Sequence, residues 1–235
     1  MRKLRTIFLF MYILTISIIG NAQITDSIID SRDGKVYKTI KIGNQWWMAE
    51  NLNNTGIVDS INPVLVSDNK KWIEIKTPAY SWYNDDEKTY KDTYGALYNW
   101  YAVNKSCLCP SGWHIPSDQE WKQLELALGL DSSEIDKMGI RGNNEGGQLK
   151  KYGTTYWSSP NIGATNESGF SAIPGGHRNW KTGDCIDIGL FGTWWSSTEA
   201  DSDYAWRRTL YYNDEKIRRF TSHKRDGFSV RCVKD

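Results

Sequence analysis

The sequence predicts an α+β fold with two main helices, short irregular antiparallel strands and long loops. Three observations support this fold class. Residues 36–42 alternate between apolar and polar side chains, as a half-buried strand does. Residues 117–129 place apolar side chains at helical spacing behind a capping signal. From Gly139 onward glycines are frequent and apolar runs are short, which indicates many turns between short strands.

The first predicted element is a β-hairpin. An Asp-Gly turn signal precedes the strand at residues 36–42, and a Gly-Asn signal follows it. Residues 45–49, Gln-Trp-Trp-Met-Ala, then form the returning strand. Residues 53–92 are polar and rich in turn formers, so we expect a long excursion there with one or two short strands, such as residues 71–75.

Two helices follow this excursion. Residues 94–104 are rich in aromatic side chains that recur three and four positions apart, which favours a helix. The second helix begins at Ser117, and Glu120 lies three residues later, at the spacing of a capping box. Gly129 ends it, because glycine is the usual residue after a helix C-terminus. We expect a further short helix over residues 132–138.

The remainder of the chain is predicted to consist of short strands. The turn Asn-Asp-Glu-Lys at residues 213–216 separates two apolar-rich runs, and this pattern is typical of a hairpin. The predicted strands are residues 169–173, 191–196, 205–212, 217–221 and 227–233.

The N-terminus has the three-part layout of a secretory signal peptide. Basic residues occur among the first five positions, residues 7–19 are mostly apolar, and Gly20 and Ala22 supply small side chains for cleavage. The apolar run is shorter than the ~20 residues of a membrane span. An uncleaved N-terminal anchor is the alternative. We therefore expect export to the periplasm, the outer surface or the medium, with no transmembrane segment after cleavage.

Three segments follow from cleavage after Ala22: a signal peptide at residues 1–22, a short N-terminal segment at 23–32, and one domain at 33–235. The chain has 29 Lys and Arg against 28 Asp and Glu. Nucleic-acid binding requires a concentrated basic face. The near-neutral balance therefore argues against a nucleic-acid partner.

Four cysteines follow the predicted signal peptide: Cys107, Cys109, Cys185 and Cys232. Disulfides persist in the compartments that receive exported proteins. Four cysteines allow three pairings, and spacing alone does not choose among them. Cys107 and Cys109 are too close for an easy mutual bridge. Zinc sites typically have CxxC spacings and nearby histidines, which these cysteines lack, so we expect no metal site.

The chain is rich in aromatic side chains, with 12 Trp and 13 Tyr. Such rings fill cores, and they also line ligand-binding surfaces. Trp194, Trp195 and Trp206 lie close in sequence to Glu199 and Arg207, which together could form an aromatic platform with a charged rim. Side chains alternate along a strand, so at most one ring of the adjacent pair is exposed. Our hypothesis is a ligand site around Trp195.

No catalytic residue is predicted. His114 precedes the helix cap, where a hydrogen-bonded structural imidazole is expected, and no GxSxG elbow accompanies the serines. Residues 84–87 place four oxygen ligands in a row, the type that calcium prefers. Consecutive acidic residues in a loop are usually only solvated, so calcium stays open and no cofactor is predicted.

Five motifs identify a family resemblance. The resemblance covers residues 33–235 and is to the Fibrobacter succinogenes major paralogous domain. It implies a C-type lectin-like fold, grouped with domains of the formylglycine-generating type, in which the N- and C-termini meet. The motifs are Ile-Gly-Asn-Gln-Trp-Trp-Met-Ala-Glu-Asn-Leu at 42–52, Cys-Pro-Ser-Gly-Trp-His-Ile-Pro-Ser at 109–117, Gly-Phe-Ser-Ala-Ile-Pro-Gly-Gly at 169–176, Trp-Trp-Ser-Ser-Thr-Glu at 194–199 and Gly-Phe-Ser-Val-Arg-Cys-Val-Lys-Asp at 227–235.

The resemblance also implies a bridge from the first helical region to the last strand, which here is Cys109–Cys232. Cys107 and Cys185 then form a second bridge or remain two free thiols. Formylglycine-generating relatives use paired cysteines near the end of the domain, whereas only Cys232 lies there in this chain. We expect a secreted or cell-surface, non-catalytic recognition or structural module that binds a glycan, peptide or surface protein. The alternatives are a formylglycine-generating-type enzyme acting on a peptide and a purely structural envelope protein.

Overall fold

The computed structural model describes residues 23–54, 62–104 and 108–235. The fold is α+β, with most of its regular structure in strands and few helices, as predicted. The predicted signal peptide and Cys107 lie outside the described residues. No helix in these three ranges is long and apolar enough to cross a membrane.

The strands of the described residues are β1 (Thr25–Ile29), β2 (Val36–Ile42), β3 (Gln45–Met48), β4 (Val64–Leu65), β5 (Ala79–Ser81), β6 (Leu97–Tyr98), β7 (Trp113–His114), β8 (Gly139–Arg141), β9 (Gly175–Arg178), β10 (Cys185–Ile188), β11 (Phe191–Glu199), β12 (Tyr204–Tyr211), β13 (Ile217–His223) and β14 (Val233–Lys234). The helices are α1 (Asn69–Glu74), α2 (Glu87–Tyr94), α3 (Trp100–Val103), α4 (Asp118–Ala127) and α5 (Glu145–Leu149), with 3₁₀ turns at Tyr83–Asp85 and Ser132–Glu134.

The first sheet joins the two ends of the described chain, in the strand order β1-β2-β3-β14-β7. The predicted hairpin is confirmed, since Ile40 of β2 pairs with Trp47 of β3. Residues 23–32, expected to precede the domain, contribute β1 to this sheet, antiparallel to β2. Val233 of β14 pairs with Trp47 on one side and with His114 of β7 on the other.

A disulfide fixes this arrangement. Cys109 and Cys232 are bonded, with their Cα atoms 5.9 Å apart, and they lie 123 positions apart in the sequence. The bridge expected from the resemblance is therefore confirmed. It ties the segment before β7 to the residue before β14, so the pairing of these two short strands does not depend on their few hydrogen bonds alone.

The second sheet has the order β10-β9-β11-β12-β13-β8 and contains the longest strands. The predicted hairpin of β12 and β13 is confirmed, and Arg207 pairs with Trp195 on one side and Phe220 on the other. Side chains alternate along a strand. Arg207, Thr209 and Tyr211 of β12 therefore lie on one face of the sheet. A third, small sheet has the order β4-β5-β6.

Helix α4 packs against the opposite face of the second sheet. Its predicted capping box is confirmed: the Ser117 hydroxyl accepts from the Glu120 amide at 3.2 Å, and the Glu120 carboxylate accepts from the Ser117 amide at 2.8 Å. Trp121 and Leu124 are buried, and the Trp121 indole donates to the carbonyl of Trp195. The cap and the apolar stripe together fix the helix start and its orientation.

Charged side chains are buried between α4 and the sheet. Asp118 accepts hydrogen bonds from Arg208 at 2.8 Å and from Arg219 at 2.7 Å. Glu125, which is fully buried, pairs with Arg208 and Arg141. Buried charges are tolerated when they are paired and hydrogen-bonded. This network anchors α4 to β12, β13 and β8.

Two predicted elements are wrong because local caps override the pattern. Residues 71–75 were expected to form a strand, but most of them lie in α1, since the Asp68 carboxylate accepts from the Lys71 amide and caps a helix. The single helix predicted at 94–104 is divided. Gly95 takes φ +75, and a Cβ there would approach the Leu52 carbonyl to 2.6 Å, so α2 ends and β6 follows.

The remaining strand and helix predictions hold in part. The helix predicted at 132–138 is only the 3₁₀ turn at Ser132–Glu134. In place of continuous strands at 169–173 and 227–233, Ala172 forms an isolated bridge with Lys150, and residues 227–229 form isolated bridges, for example between Phe228 and Tyr98. These short bridges connect the sheets across the core.

Candidate functional site

The predicted aromatic platform is not on the surface. Trp194 is 1% exposed and Trp195 is 0% exposed, so the hypothesis that Trp195 presents a ring to a ligand is wrong. The physical reason is that β11 is covered on both faces. Trp194 contacts Phe170 on the α4 side, while Trp195 contacts Phe228 on the other side. Alternation along the strand therefore places each ring in a core, where it has no free face for a ligand.

The other three predicted site residues do not lie together. Trp206 is half-buried on the α4 side of β12, beneath the Arg219 guanidinium at 3.5 Å from the ring centroid. Glu199 is exposed at the end of β11 and pairs with Lys224. Arg207 projects from the opposite face of the second sheet. Of the five predicted ligand residues, only Arg207 lines a cavity on that face.

This cavity is an aromatic and polar groove of about 280 Å³, called here the aromatic groove. It lies on the sheet face that bears Arg207, and its walls come from four strands of the second sheet (β9, β11, β12 and β13), from the turn after β9 and from the loop after β13. Its lining residues are His177, Asn179, Trp180, Phe191, Thr193, Arg207, Thr209, Tyr211, Ser222, Asp226 and Phe228.

Cross-strand pairing places two rings on this face. Phe191 of β11 and Tyr211 of β12 are direct partners in the sheet, and their rings stack at 4.0 Å with an angle of 19°. The Arg218 guanidinium covers Tyr211 at 3.6 Å from the ring centroid. Both rings are half-buried, so they are fixed in position and still reachable from the groove.

A third ring comes from the turn after β9. Trp180 is half-buried and stacks on His223 at 4.1 Å with an angle of 12°. The Asp226 carboxylate accepts a hydrogen bond from the Trp180 amide at 3.1 Å and so holds this turn against the loop after β13. Rigid aromatic side chains with one accessible surface are typical anchors of recognition sites.

Arg207 is a cation that bonds only to neutral groups here. Its Nε donates to the Ser222 hydroxyl at 2.6 Å, and a terminal nitrogen donates to the Thr209 hydroxyl. The guanidinium also lies over the rings of Phe220 and Phe228, at 5.7 and 5.6 Å. No carboxylate among the described residues forms an ion pair with it, and burial lowers the pKa of Arg207.

Two further ionisable groups line the groove. Burial raises the pKa of Asp226 to about 7, so near neutral pH the carboxyl group is neutral about half of the time. Burial, together with the positive charge of Arg207, lowers the pKa of His177 to about 4, so its imidazole is neutral at neutral pH. Arg207 is therefore the dominant charge of the groove.

Sequence reasoning missed most of these residues, among them Trp180, Phe191 and Asp226. The signal for part of the groove was present, because alternation along residues 205–212 places Thr209 and Tyr211 on the same face as Arg207. The approach of Trp180 and Asp226 depends on loops that no local pattern specifies.

A larger cavity of about 610 Å³ lies between the first hairpin and α4. Leu128, Gln148 and Glu167 are among its lining residues, and none of the described residues that line it is aromatic. It offers volume without the rigid rings of the aromatic groove. We therefore take the aromatic groove as the candidate site.

The acidic row considered for calcium is engaged within the protein. Asp85 pairs with Arg178 at 2.9 Å, Asp86 caps α2 through the Thr89 amide, and Glu87 pairs with Lys91. Across the described ranges, no group of three or more His, Cys, Asp and Glu side chains could hold a metal ion.

His114 is the hydrogen-bonded structural imidazole that the sequence predicts. Its Nδ1 lies 2.6 Å from an Asp235 carboxylate oxygen, and its Nε2 lies 2.6 Å from Glu120. Burial alone would lower the pKa of His114, but these two hydrogen bonds raise it above the usual value. The imidazole thus joins the β14 end to the capping box of α4.

Cys185 carries a half-buried thiol with no disulfide to another described cysteine. Burial raises the pKa of this thiol. A pairing with Cys107 stays a prediction, because Cys107 lies outside the described residues.

The fold and the groove define an α+β domain, closed by a disulfide, that carries an aromatic and polar groove on one sheet. Residues 40–234 match the Fibrobacter succinogenes major domain, so the chain belongs to that family. No match was found among curated proteins or among solved structures.

Proposed function

We propose that this protein is an exported, non-catalytic recognition module with a C-type lectin-like fold, and that it binds a carbohydrate in the aromatic groove. The observation that carries the proposal is the groove itself. It places the half-buried rings of Trp180, Phe191 and Tyr211 beside the hydroxyl groups of Thr193 and Ser222. Sugars present apolar C–H faces and hydroxyl groups together, and this lining complements both.

The size of the groove suits a small unit of a larger glycan. Pockets for drug-sized ligands span roughly 300–1,000 Å³, and the groove of about 280 Å³ lies just below that range. One sugar ring at a chain end or on a branch is a ligand of this size. A peptide side chain is the competing occupant, and a role as a structural envelope protein without a ligand is the other alternative.

The groove chemistry favours binding over hydrolysis. Glycoside hydrolysis commonly needs two carboxyl groups on either side of the scissile bond. Asp226 is the sole carboxyl group among the described residues that line the groove. One carboxyl group cannot serve as both acid and base or nucleophile in the same step.

The disulfide speaks against chemistry of the formylglycine-generating type. A cysteine nucleophile must be a thiolate, and the sulfurs of Cys109 and Cys232 are joined to each other. The same bridge supports export, because disulfides persist mainly outside the cytosol. The meeting of β1 and β14 in one sheet supports the C-type lectin-like grouping.

The experiment is a glycan array probed with the purified wild-type chain, Trp180→Ala and Tyr152→Ala. Trp180 lines the groove, whereas Tyr152 is an aromatic residue outside it that is 77% exposed. We expect a distinct set of glycans to bind the wild type and Tyr152→Ala alike, with about tenfold weaker binding by Trp180→Ala, which corresponds to about 1.4 kcal/mol. Circular dichroism confirms that both variants fold.

Two results would refute the proposal. Equal binding by the two variants would place any glycan site elsewhere on the chain. Absence of binding to every glycan would favour the peptide or structural alternative.

A further inference from the structure

Arg207 forms no ion pair with a described carboxylate, although the nearby charge of Asp226 favours its charged form. Its guanidinium is half-buried among rings and donates only to the hydroxyl groups of Ser222 and Thr209. Burying a cation without an anion is costly, and buried charges in proteins are normally paired. Arg208 and Arg219, on the other side of the sheet, are paired in this way with Asp118, whereas Arg231 and Lys150 are buried with hydrogen bonds to neutral oxygens only.

The surroundings of the groove add positive charge. The Arg225 guanidinium lies 5.0 Å from the Trp180 ring centroid and donates to the Ile73 carbonyl, and it forms no ion pair with a described carboxylate. Arg218, over Tyr211, is paired with Asp214. The balancing carboxyl group is Asp226, which is buried and bonded to the Trp180 amide. An anion that enters the groove therefore meets an excess of positive charge.

We infer that the aromatic groove selects a carboxylate-bearing sugar such as a uronic acid, and that Arg207 recognises the carboxylate. The inference rests on the proposed function and deepens it from carbohydrate to acidic carbohydrate. An arginine fork is suited to this role, because it donates two parallel hydrogen bonds to a carboxylate. The carboxylate would form the direct ion pair that Arg207 does not make with any described carboxylate, while the sugar ring contacts the aromatic walls.

The test compares methyl β-D-glucuronide with methyl β-D-glucoside by NMR titration of the purified chain. The two probes have the same sugar ring, but the glucuronide carries a carboxylate where the glucoside carries a hydroxymethyl group. We expect the wild type to bind the glucuronide about tenfold more tightly, the size of a charge-assisted hydrogen bond. Arg207→Lys keeps the charge and should retain part of this preference.

Arg207→Met removes the charge but keeps a long side chain between Phe220 and Phe228. It should bind the two glycosides equally. Lys137→Met makes the same change of net charge at an exposed lysine that does not line the groove, and it should keep the wild-type preference. Thermal unfolding of each variant establishes that it is folded.

The outcomes separate the inference from the proposed function. Equal binding of both glycosides by the wild type would overturn acidic selectivity and leave carbohydrate binding intact. A preference that survives in Arg207→Met would remove Arg207 from the recognition. Failure of both glycosides to bind would overturn both proposals, and competition by an acidic peptide in that case would identify a peptide ligand.

Discussion

Asp118→Asn should be one of the most damaging conservative substitutions in this protein. Asp118 is 6% exposed, and its two carboxylate oxygens accept from Arg208 at 2.8 Å and from Arg219 at 3.0 and 2.7 Å. Asparagine has nearly the same shape but no negative charge. The substitution therefore leaves two guanidinium groups buried beside an uncharged amide.

The magnitude follows from the balance of charges. Asp118 and Glu125 face Arg141, Arg208 and Arg219 across the buried network. Removing one partner from a buried ion pair costs roughly 3–5 kcal/mol, because an uncompensated buried charge remains. With a urea dependence of about 3 kcal/mol/M, a loss of about 4 kcal/mol lowers the unfolding midpoint by about 1.3 M.

Urea unfolding followed by tryptophan fluorescence measures this loss. Asp136→Asn is the matched control. Asp136 likewise forms an ion pair, with Lys122 at 2.6 Å, but its side chain is 82% exposed. We expect the control to keep the wild-type midpoint, because exposed ion pairs contribute little. A midpoint for Asp118→Asn that equals that of the control would refute the argument that the buried network anchors α4.

The dependence of folding stability on pH tests the same ion pairs. Burial alone would raise the pKa of Asp118, but hydrogen bonds and charges from Arg219 and Arg208 hold it well below its usual range. A carboxyl group with a lowered folded-state pKa stabilises the protein above its unfolded pKa of about 4, and this contribution is lost as the pH falls. Wild-type stability should therefore fall more steeply in acid than that of Asp118→Asn.

Three further predictions follow from other parts of the fold. Replacing Cys109 and Cys232 together by alanine should remove up to about 5 kcal/mol of unfolding free energy, the chain-entropy value for a loop of this length. A loss of less than about 1 kcal/mol, measured by urea unfolding, would contradict this. The raised pKa of His114 stabilises the folded protein fully below about pH 6.5, and this stabilisation is lost as the pH rises through the folded-state pKa. NMR titration of the His114 ring should therefore give a pKa above the usual histidine value. A pKa at or below that value would refute the paired imidazole. Trp195→Ala should lower the free energy of unfolding by roughly 3–5 kcal/mol, because the indole is fully buried and donates to the Tyr98 carbonyl at 2.8 Å. If thermal unfolding of this variant differs little from that of Trp180→Ala, the Trp195 ring is not a core residue.

Local patterns in the sequence predicted the elements that short-range physics determines. The hairpin of β2 and β3 needs only its turn residues and alternation, and α4 needs only Ser117, Glu120 and an apolar stripe. The division of residues 94–104 was not predictable from periodicity, because Gly95 and the Asn99 cap interrupt an aromatic-rich run. Here a backbone requirement overrides the side-chain pattern.

The candidate site was harder to predict than the fold, because it depends on distant pairings. The pattern of the pair Trp194-Trp195 does not reveal that both faces of β11 are covered, since Phe170 and Phe228 lie far from it in sequence. Arg207 was identified because it lies near those rings in sequence, yet it faces the groove that Trp180 completes from the turn after β9. Residues from separate strands converge there only after the sheet is formed.

The most direct test of the account is NMR mapping of ligand contacts. Titration of the ¹⁵N-labelled chain with methyl β-D-glucuronide should shift the amide signals of Asn179, Trp180 and Thr209, together with the Trp180 indole, more than any other signals. Shifts concentrated at Leu128 and Gln148, in the larger cavity beside α4, would contradict the assignment of the aromatic groove as the recognition site.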